Sequence, residues 1–255
     1  MTDFDTDTAP DASGAFRLTD RWNALAGING GYMLAVCVRA LGQAMPFPDP
    51  LVISGFFLRP GTVGPAEVPV SVLRAGRTTA FGEATLVQGG KQVLRITGAF
   101  STLGGDGPSY RGSKPPSLPP PEECVAPTLR ARSPELSISE QVEYRAVTLP
   151  GWVTGSPSGN PASEFWIRLG GGREPDLWSL PFLVDAAPPA AMELGVLSTT
   201  IELTVHLRAH PAPGWLACRA VTSHLSGGYY EEDFEIWDSS GALVAQSRQL
   251  GLVLK

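Results

Sequence analysis

The chain has 255 residues, is 43% hydrophobic and 17% charged, and carries a net charge of −6. That composition can bury a core, so it excludes a disordered chain, and the length allows one large or two small domains. Lys and Arg are scattered, which argues against a nucleic-acid partner, although an acidic chain can still bind an anionic ligand through a local patch.

Cys37, Cys124 and Cys218 are isolated in sequence. An odd count without paired spacing fits neither a disulfide framework nor a zinc knuckle, and Cys37 and Cys218 read as small buried hydrophobes. His206 and His210 are four apart, but on a strand running into Pro211, so no metal site is expected. Residues 1–13 are acidic and polar, without the basic and apolar regions of a secretory signal. No stretch approaches the roughly 18 consecutive apolar residues of a membrane span. A cytoplasmic protein is expected.

Residues 1–14 read as a flexible tail, and 16–22 as a short strand. Asn29-Gly30-Gly31 then opens a helix over 32–41, apolar on nearly every side until Arg39. Such a helix must be buried all round, and a wrapped sheet could do that. Strands follow at 51–58, 66–74, 78–88 and 92–102, separated by Gly-centred turns. Residues 104–135 form a Pro-, Gly- and Ser-rich linker. The second half repeats the layout, with strands at 138–148 and 163–169. A helix over 176–187, with Pro181 in its first part, is stopped by Pro188-Pro189. Strands at 200–208, 215–224, 229–237 and 242–254 complete it. The halves, 15–103 and 136–255, superpose at an offset of about 150 residues. On that count Ala35 falls on Asp185, and Ala99 lies close to the match of Gln249.

In the second half an acid, a hydroxyl and an amide, brought together by a sheet curling over a helix, could bind and aim a water molecule. The acid is Asp185 at the helix end, and the amide is Gln249 on the last strand. Each has a plainer reading: a polar helix end for Asp185, a β-former for Thr200, a solvated strand residue for Gln249. On strict alternation Thr200 shares a polar face with Glu202, Thr204, His206 and Arg208, opposite Ile201, Leu203, Val205 and Leu207. Other motifs are weaker. Gly155-Ser156-Pro157-Ser158-Gly159 imitates a nucleophile elbow with its serine one position late. Gly170-Gly171-Gly172 lacks the Lys-Ser/Thr of a phosphate loop.

The run Phe57-Leu58-Arg59-Pro60-Gly61, the helix start Gly30-Gly31, Phe165-Trp166-Ile167-Arg168, and the closing pattern from Asp238 to Gln249 together resemble the acyl-CoA thioesterase II family. The resemblance spans roughly residues 15–255. It implies an α+β double hot-dog fold: two tandem units, each a central helix wrapped by an antiparallel sheet. It implies hydrolysis of a fatty or related acyl-CoA to free acid and CoA, without a cofactor or a covalent acyl-enzyme. The family's water-holding residues fall on Asp185, Thr200 (with Thr199 an adjacent rival) and Gln249. Its backbone donor to the thioester oxygen falls at Gly30 and Gly31. Met33, Leu183 and Val184 are expected to line or back the acyl tunnel. The first half is expected to be a non-catalytic copy.

These residue types suit that chemistry, which needs a water, a base and oxyanion donors. A buried carboxylate at a helix C-terminus has its pKa raised toward neutrality, and a Gly-Gly helix start offers N–H groups without a side chain in the way. The expected partner is a small-molecule acyl-CoA, and assembly into a homo-oligomer is allowed for. Two alternatives stand beside this reading: a non-catalytic acyl-CoA or acyl-carrier binding protein, and a hot-dog hydratase or dehydratase. The latter would carry a His where this chain has Ala190.

Overall fold

The computed structural model describes residues 3–24, 27–127 and 134–254. Its first element corrects the expectation of a flexible tail. Residues Asp3–Asp7 form a short helix, α1. Phe4 is buried against Trp22 and Phe182, with ring centroids 5.7 and 5.4 Å away. Asp5 pairs with Arg39 at 2.6 Å and with Arg173 at 2.9 Å. Both cations are distant in sequence, so nothing local revealed that the acidic segment is held down.

β1 (Phe16–Leu18) is shorter than expected, because a 3-10 turn occupies Asp20–Trp22. The strands β2 (Asn23–Ala24) and β3 (Gly27–Ile28) lead to α2 (Gly30–Ala44), one turn longer than the sequence pattern suggested. Then come β4 (Asp49–Phe57), β5 (Gly64–Ala66), β6 (Val70–Ala75), β7 (Ala80–Gln88) and β8 (Lys91–Ser101). The Pro-rich segment carries a 3-10 turn at Pro121–Glu123, and a second such stretch, Pro134–Glu140, precedes β9 (Val142–Ala146). β10 (Ala162–Leu169), α3 (Leu180–Ala186), a 3-10 turn at Ala190–Leu194, β11 (Ser198–Leu207), β12 (Leu216–Val221), β13 (Leu225–Ser226), β14 (Tyr229–Trp237) and β15 (Leu243–Val253) complete the chain. α3 is shorter than the expected 176–187. Asp176 caps it from outside, its Oδ1 accepting the N–H groups of Trp178 and Ser179. Pro188 ends it, since the residue before proline is pushed out of the α region.

One antiparallel sheet of 11 strands runs β6-β7-β8-β4-β11-β15-β14-β12-β10-β9, with β13 beside β14. β4 and β11 join the two halves, and there Ser54 pairs directly with Thr204. These two residues are also related by the sequence offset of about 150, so the joint is a local two-fold. α2 packs on β4, β6, β7 and β8, and α3 on β11, β14 and β15, while the helices pack against each other. The residues from Gly31 to Val38 are all buried, which explains a helix apolar on nearly every side. Among the described residues no helix is long and apolar enough to cross a membrane.

Candidate active site

The start of α2 meets the end of α3. Asn29 caps α2, its Oδ1 accepting the Tyr32 N–H at 2.9 Å, a contact worth about 1 kcal/mol. Its Nδ2 reaches across to donate to the backbone oxygen and Oδ2 of Asp185, each at 3.1 Å. The Gly31 N–H donates to the same Oδ2 at 2.6 Å. Glycine is sterically required here. A Cβ on Gly31 would lie 2.7 Å from Phe182 O and 2.8 Å from Asp185 Cβ, and one on Gly30 would lie 2.7 Å from Phe57 Cε1.

This arrangement corrects the expectation that the Gly31 N–H stands free for a substrate oxygen, because Asp185 already occupies it. The physical reason is that packing sets a carboxylate at the positive end of α2, where anions are most favoured. In that first turn the Gly30 N–H has no partner among the described residues. Besides Gly31 and Asn29, the hydrogen-bond neighbour of the Asp185 carboxylate is the Thr200 hydroxyl. Burial pushes the Asp185 carboxyl from 3.8 up to about 6, against the opposing pull of Gly31, Asn29 and the nearby Thr200 hydroxyl.

The Thr200 hydroxyl donates to Gln249 Oε1 at 2.9 Å. Simple alternation placed Thr200 on the face of Glu202 and Thr204, and the structure corrects this. The β11–β15 register shifts between Thr200 and Glu202, where Ile201 is an extra residue. Such a bulge reverses the side-chain phase. Thr200 therefore turns to the helix side with Leu203, the direct partner of Gln249. Glu202 and Thr204 stay on the other face, bonded to each other at 2.6 Å and to Ser54 at 3.1 and 3.0 Å. Thr199 lines the cleft but makes no side-chain hydrogen bond among the described residues.

Glu232 escaped the sequence reading. Gln249 Nε2 donates to Glu232 Oε1 at 2.8 Å, and the Ala190 N–H donates to Glu232 Oε2 at 2.5 Å. Glu232 is 3% exposed. Burial lifts its carboxyl to about 7, the Ala190 and Gln249 donors oppose that, and the charges of Asp185 and Asp233 add to it. The available signal was phase. On β14, Tyr230, Phe234 and Ile236 are buried, and Glu232 shares their period-two face. A carboxylate in that register is rarely buried without partners.

Asn29, Gly30, Asp185, Thr200 and Gln249 line a cleft of about 560 Å³ whose walls include Met33, Phe57, Leu136, Tyr144, Leu252 and Leu254, with Glu232 buried behind Gln249. Asp185 and Arg59 supply its charges. Met33 lines the cleft. Leu183 and Val184 do not line the cleft: both are buried in the core. On a helix that turns Asp185 toward the cleft, the two preceding residues point elsewhere. A second cavity, of about 420 Å³, shares the wall formed by Tyr144, Trp152, Pro188 and Pro189. There the serine-rich loop is fastened by Glu193, which accepts the Ser158 N–H at 2.6 Å and the Gly151 N–H at 2.7 Å. Among the described residues no group of three or more His, Cys, Asp or Glu is gathered as a metal site.

Family models of the acyl-CoA thioesterase N-terminal and C-terminal domains match residues 18–101 and 121–253. A candidate thioesterase II from Thermobifida fusca YX is 31% identical, with a TM-score of 0.88 covering 100% of this chain and 98% of that one. A hot-dog-fold protein of unknown function from Alicyclobacillus acidocaldarius is 22% identical, with a TM-score of 0.89 covering 100% and 99%. That second likeness is one of fold. An uncharacterised protein of Mycobacterium tuberculosis is 27% identical over 92% of this chain and 89% of its own length. With both family models matched in order, the chain belongs to the acyl-CoA thioesterase family.

Proposed function

We propose that the chain is a double hot-dog thioesterase that hydrolyses a fatty or related acyl-CoA at a single site in its second half. The observation that carries this is the joining of Asp185, with its carboxyl near 6, to the linked Thr200–Gln249 pair in one largely apolar cleft. A base that titrates just below neutrality is largely ionised at pH 7 and still accepts a proton usefully.

Every group that would face the water is an acceptor. When the Thr200 hydroxyl gives its proton to Gln249 and not to its other neighbour, Asp185, the carboxylate and Thr200 Oγ1 both face the water as acceptors. A water bound between them donates one hydrogen to Asp185 and the other to Thr200 Oγ1. Its lone pair is then left for the thioester carbon. As the C–O bond forms, Asp185 takes the water's proton, and the carbonyl oxygen becomes an oxyanion. The free Gly30 N–H, at the N-terminus of α2, suits that charge. The intermediate collapses with cleavage of the C–S bond, and the thiolate recovers the proton. The products are a carboxylic acid and a thiol. Arg59, at the cleft and exposed, offers a cation to the phosphates of CoA.

The test is thiol release across an acyl-CoA panel, with wild type beside Asp185→Asn. The expected result is turnover that falls by about 10²–10⁴-fold in the variant, with binding of a non-hydrolysable acyl-CoA thioether kept. Equal rates would remove Asp185 from the chemistry. Tight binding without release by wild type would mark an acyl-CoA binding protein instead.

A further inference from the structure

We infer that Glu232 is a positioning residue that fixes the direction of the Thr200–Gln249 hydrogen bond, and through it the acceptor character of the water site. The inference rests on the hydrolytic reading for its kinetic consequence but not for its geometry.

A side-chain amide has a donor end and an acceptor end, and nothing in its shape chooses between its two orientations. Gln249 sits between two partners, Thr200 and Glu232. Thr200 accommodates either orientation, since a hydroxyl both donates and accepts. Glu232 does not. Once ionised, above about pH 7, it only accepts, and its second oxygen is engaged by the Ala190 N–H. It therefore draws the Gln249 NH₂ toward itself and turns Oε1 toward Thr200. Thr200 must then donate to Gln249, which leaves its oxygen as an acceptor for water. The chain Ala190 N–H to Glu232, Gln249 to Glu232, Thr200 to Gln249 has one consistent direction, set at its buried end.

The location favours such a role over one in stability. Glu232 and Gln249 are direct cross-strand partners, and both are nearly enclosed, at 3% and 8% exposure. A buried carboxylate is costly unless fully paired. Here both oxygens are paired, one of them to a residue of the proposed site.

Glu232→Gln makes the test specific. The new amide must accept the Ala190 N–H with its oxygen, so its NH₂ faces the NH₂ of Gln249. Two donors repel, Gln249 turns over, and Thr200 is forced to accept from it. At about pH 8, where Glu232 is ionised in the wild type, the expected result is a fall of about ten- to a hundredfold in kcat, with KM changed by less than about twofold, the pattern for a contact that matters in the transition state. The exchanged pair, Glu232→Gln with Gln249→Glu, restores the original direction. The amide now on β14 can donate to the carboxylate now on β15, and Thr200 can donate to that carboxylate as well. That double variant is expected to regain at least about tenfold of the lost kcat. A single variant with wild-type kcat, or an exchanged pair no better than the single variant, would overturn the proposal.

A readout independent of turnover separates this proposal from the hydrolase reading. The side-chain amide resonances of Gln249, assigned by their loss in Gln249→Glu, should shift on Glu232→Gln in otherwise folded protein. Unchanged resonances would sink the positioning role even in an active enzyme. Shifted resonances, in a wild type that releases no thiol, would keep the geometry and discard the hydrolase. Glu232→Asp, which keeps the acceptor, serves if the amide variant does not fold, and should leave the Gln249 resonances close to those of wild type.

Discussion

Where β14 and β15 pair Glu232 with Gln249, the matching strands of the first half, β7 and β8, pair Gly82 with Gly98. Counting along the chain pointed to Ala99 as the match of Gln249, and the strand ladder moves it to Gly98. The same register puts Pro50 at the place of Thr200, and the same bulge recurs, between Pro50 and Val52 in β4. By the offset of about 150 residues, Ala35 is the counterpart of Asp185. The two halves thus share their backbone irregularities but not their polar side chains.

The difference follows from helix length. α2 has 15 residues and α3 has 7. The extra turns of α2 carry Leu41 and Met45 over the sheet. A Cβ on Gly82 would run into both, and one on Gly98 would lie 2.7 Å from Ile53 Cδ1 and 3.4 Å from Leu41 Cδ2. In the first half, apolar side chains therefore fill the volume that Glu232 and Gln249 hold in the second. α3 stops sooner, and the 3-10 turn at Ala190–Leu194 packs on β10, β12 and β14 in its place, bringing the Ala190 N–H to Glu232.

The largest expected effects come from exchanging the helix residues. Ala35→Asp buries a carboxylate without partners and should cost at least about 4 kcal/mol in urea unfolding. Asp185→Asn should do the opposite above neutrality. The Asp185 carboxyl rises from 3.8 to about 6 on folding, so the folded chain keeps a proton that the unfolded chain loses. Stability from this group is full below about pH 4 and falls as pH rises through about 6. The asparagine variant lacks that fall. It should therefore gain about 2 kcal/mol on wild type between pH 4 and 8, and a stability difference that does not change with pH would contradict the assignment.

Next come the glycine and glutamine positions. Gly82→Ala should destabilise by about 1–3 kcal/mol through overpacking against Leu41, with kcat for thiol release unchanged. Gln249→Ala should reverse that pattern, lowering kcat by about ten- to a hundredfold. Thiol release that responds equally to both would erase the distinction between the halves.

Smaller shifts concern pH. The acid limb of kcat/KM should carry both Asp185, near pH 6, and Glu232, near pH 7, with activity rising as each ionises. Asn29→Ala removes a donor to the charged carboxylate, so that limb should move to higher pH. The lost helix cap should cost about 1 kcal/mol, read from thermal unfolding.

Much of this was legible in the sequence, because periodicity and turn chemistry are local. The two central helices, the strand order and the repeat could be read from runs of a few residues, and the Asp185, Thr200 and Gln249 candidates from motifs with the right order. Thr200 was placed by resemblance, while alternation put it on the wrong face, because a bulge is a property of two paired strands. Tertiary structure alone decided the rest. It gave the Gly31 N–H to Asp185, since packing brings together groups 154 residues apart. It tied the acidic first turn to Arg39 and Arg173, and it turned Leu183 and Val184 into the core. It also made Glu232 the anchor of Gln249. A lone Glu on a strand carries no mark of its partners until the sheet closes and removes water as the alternative.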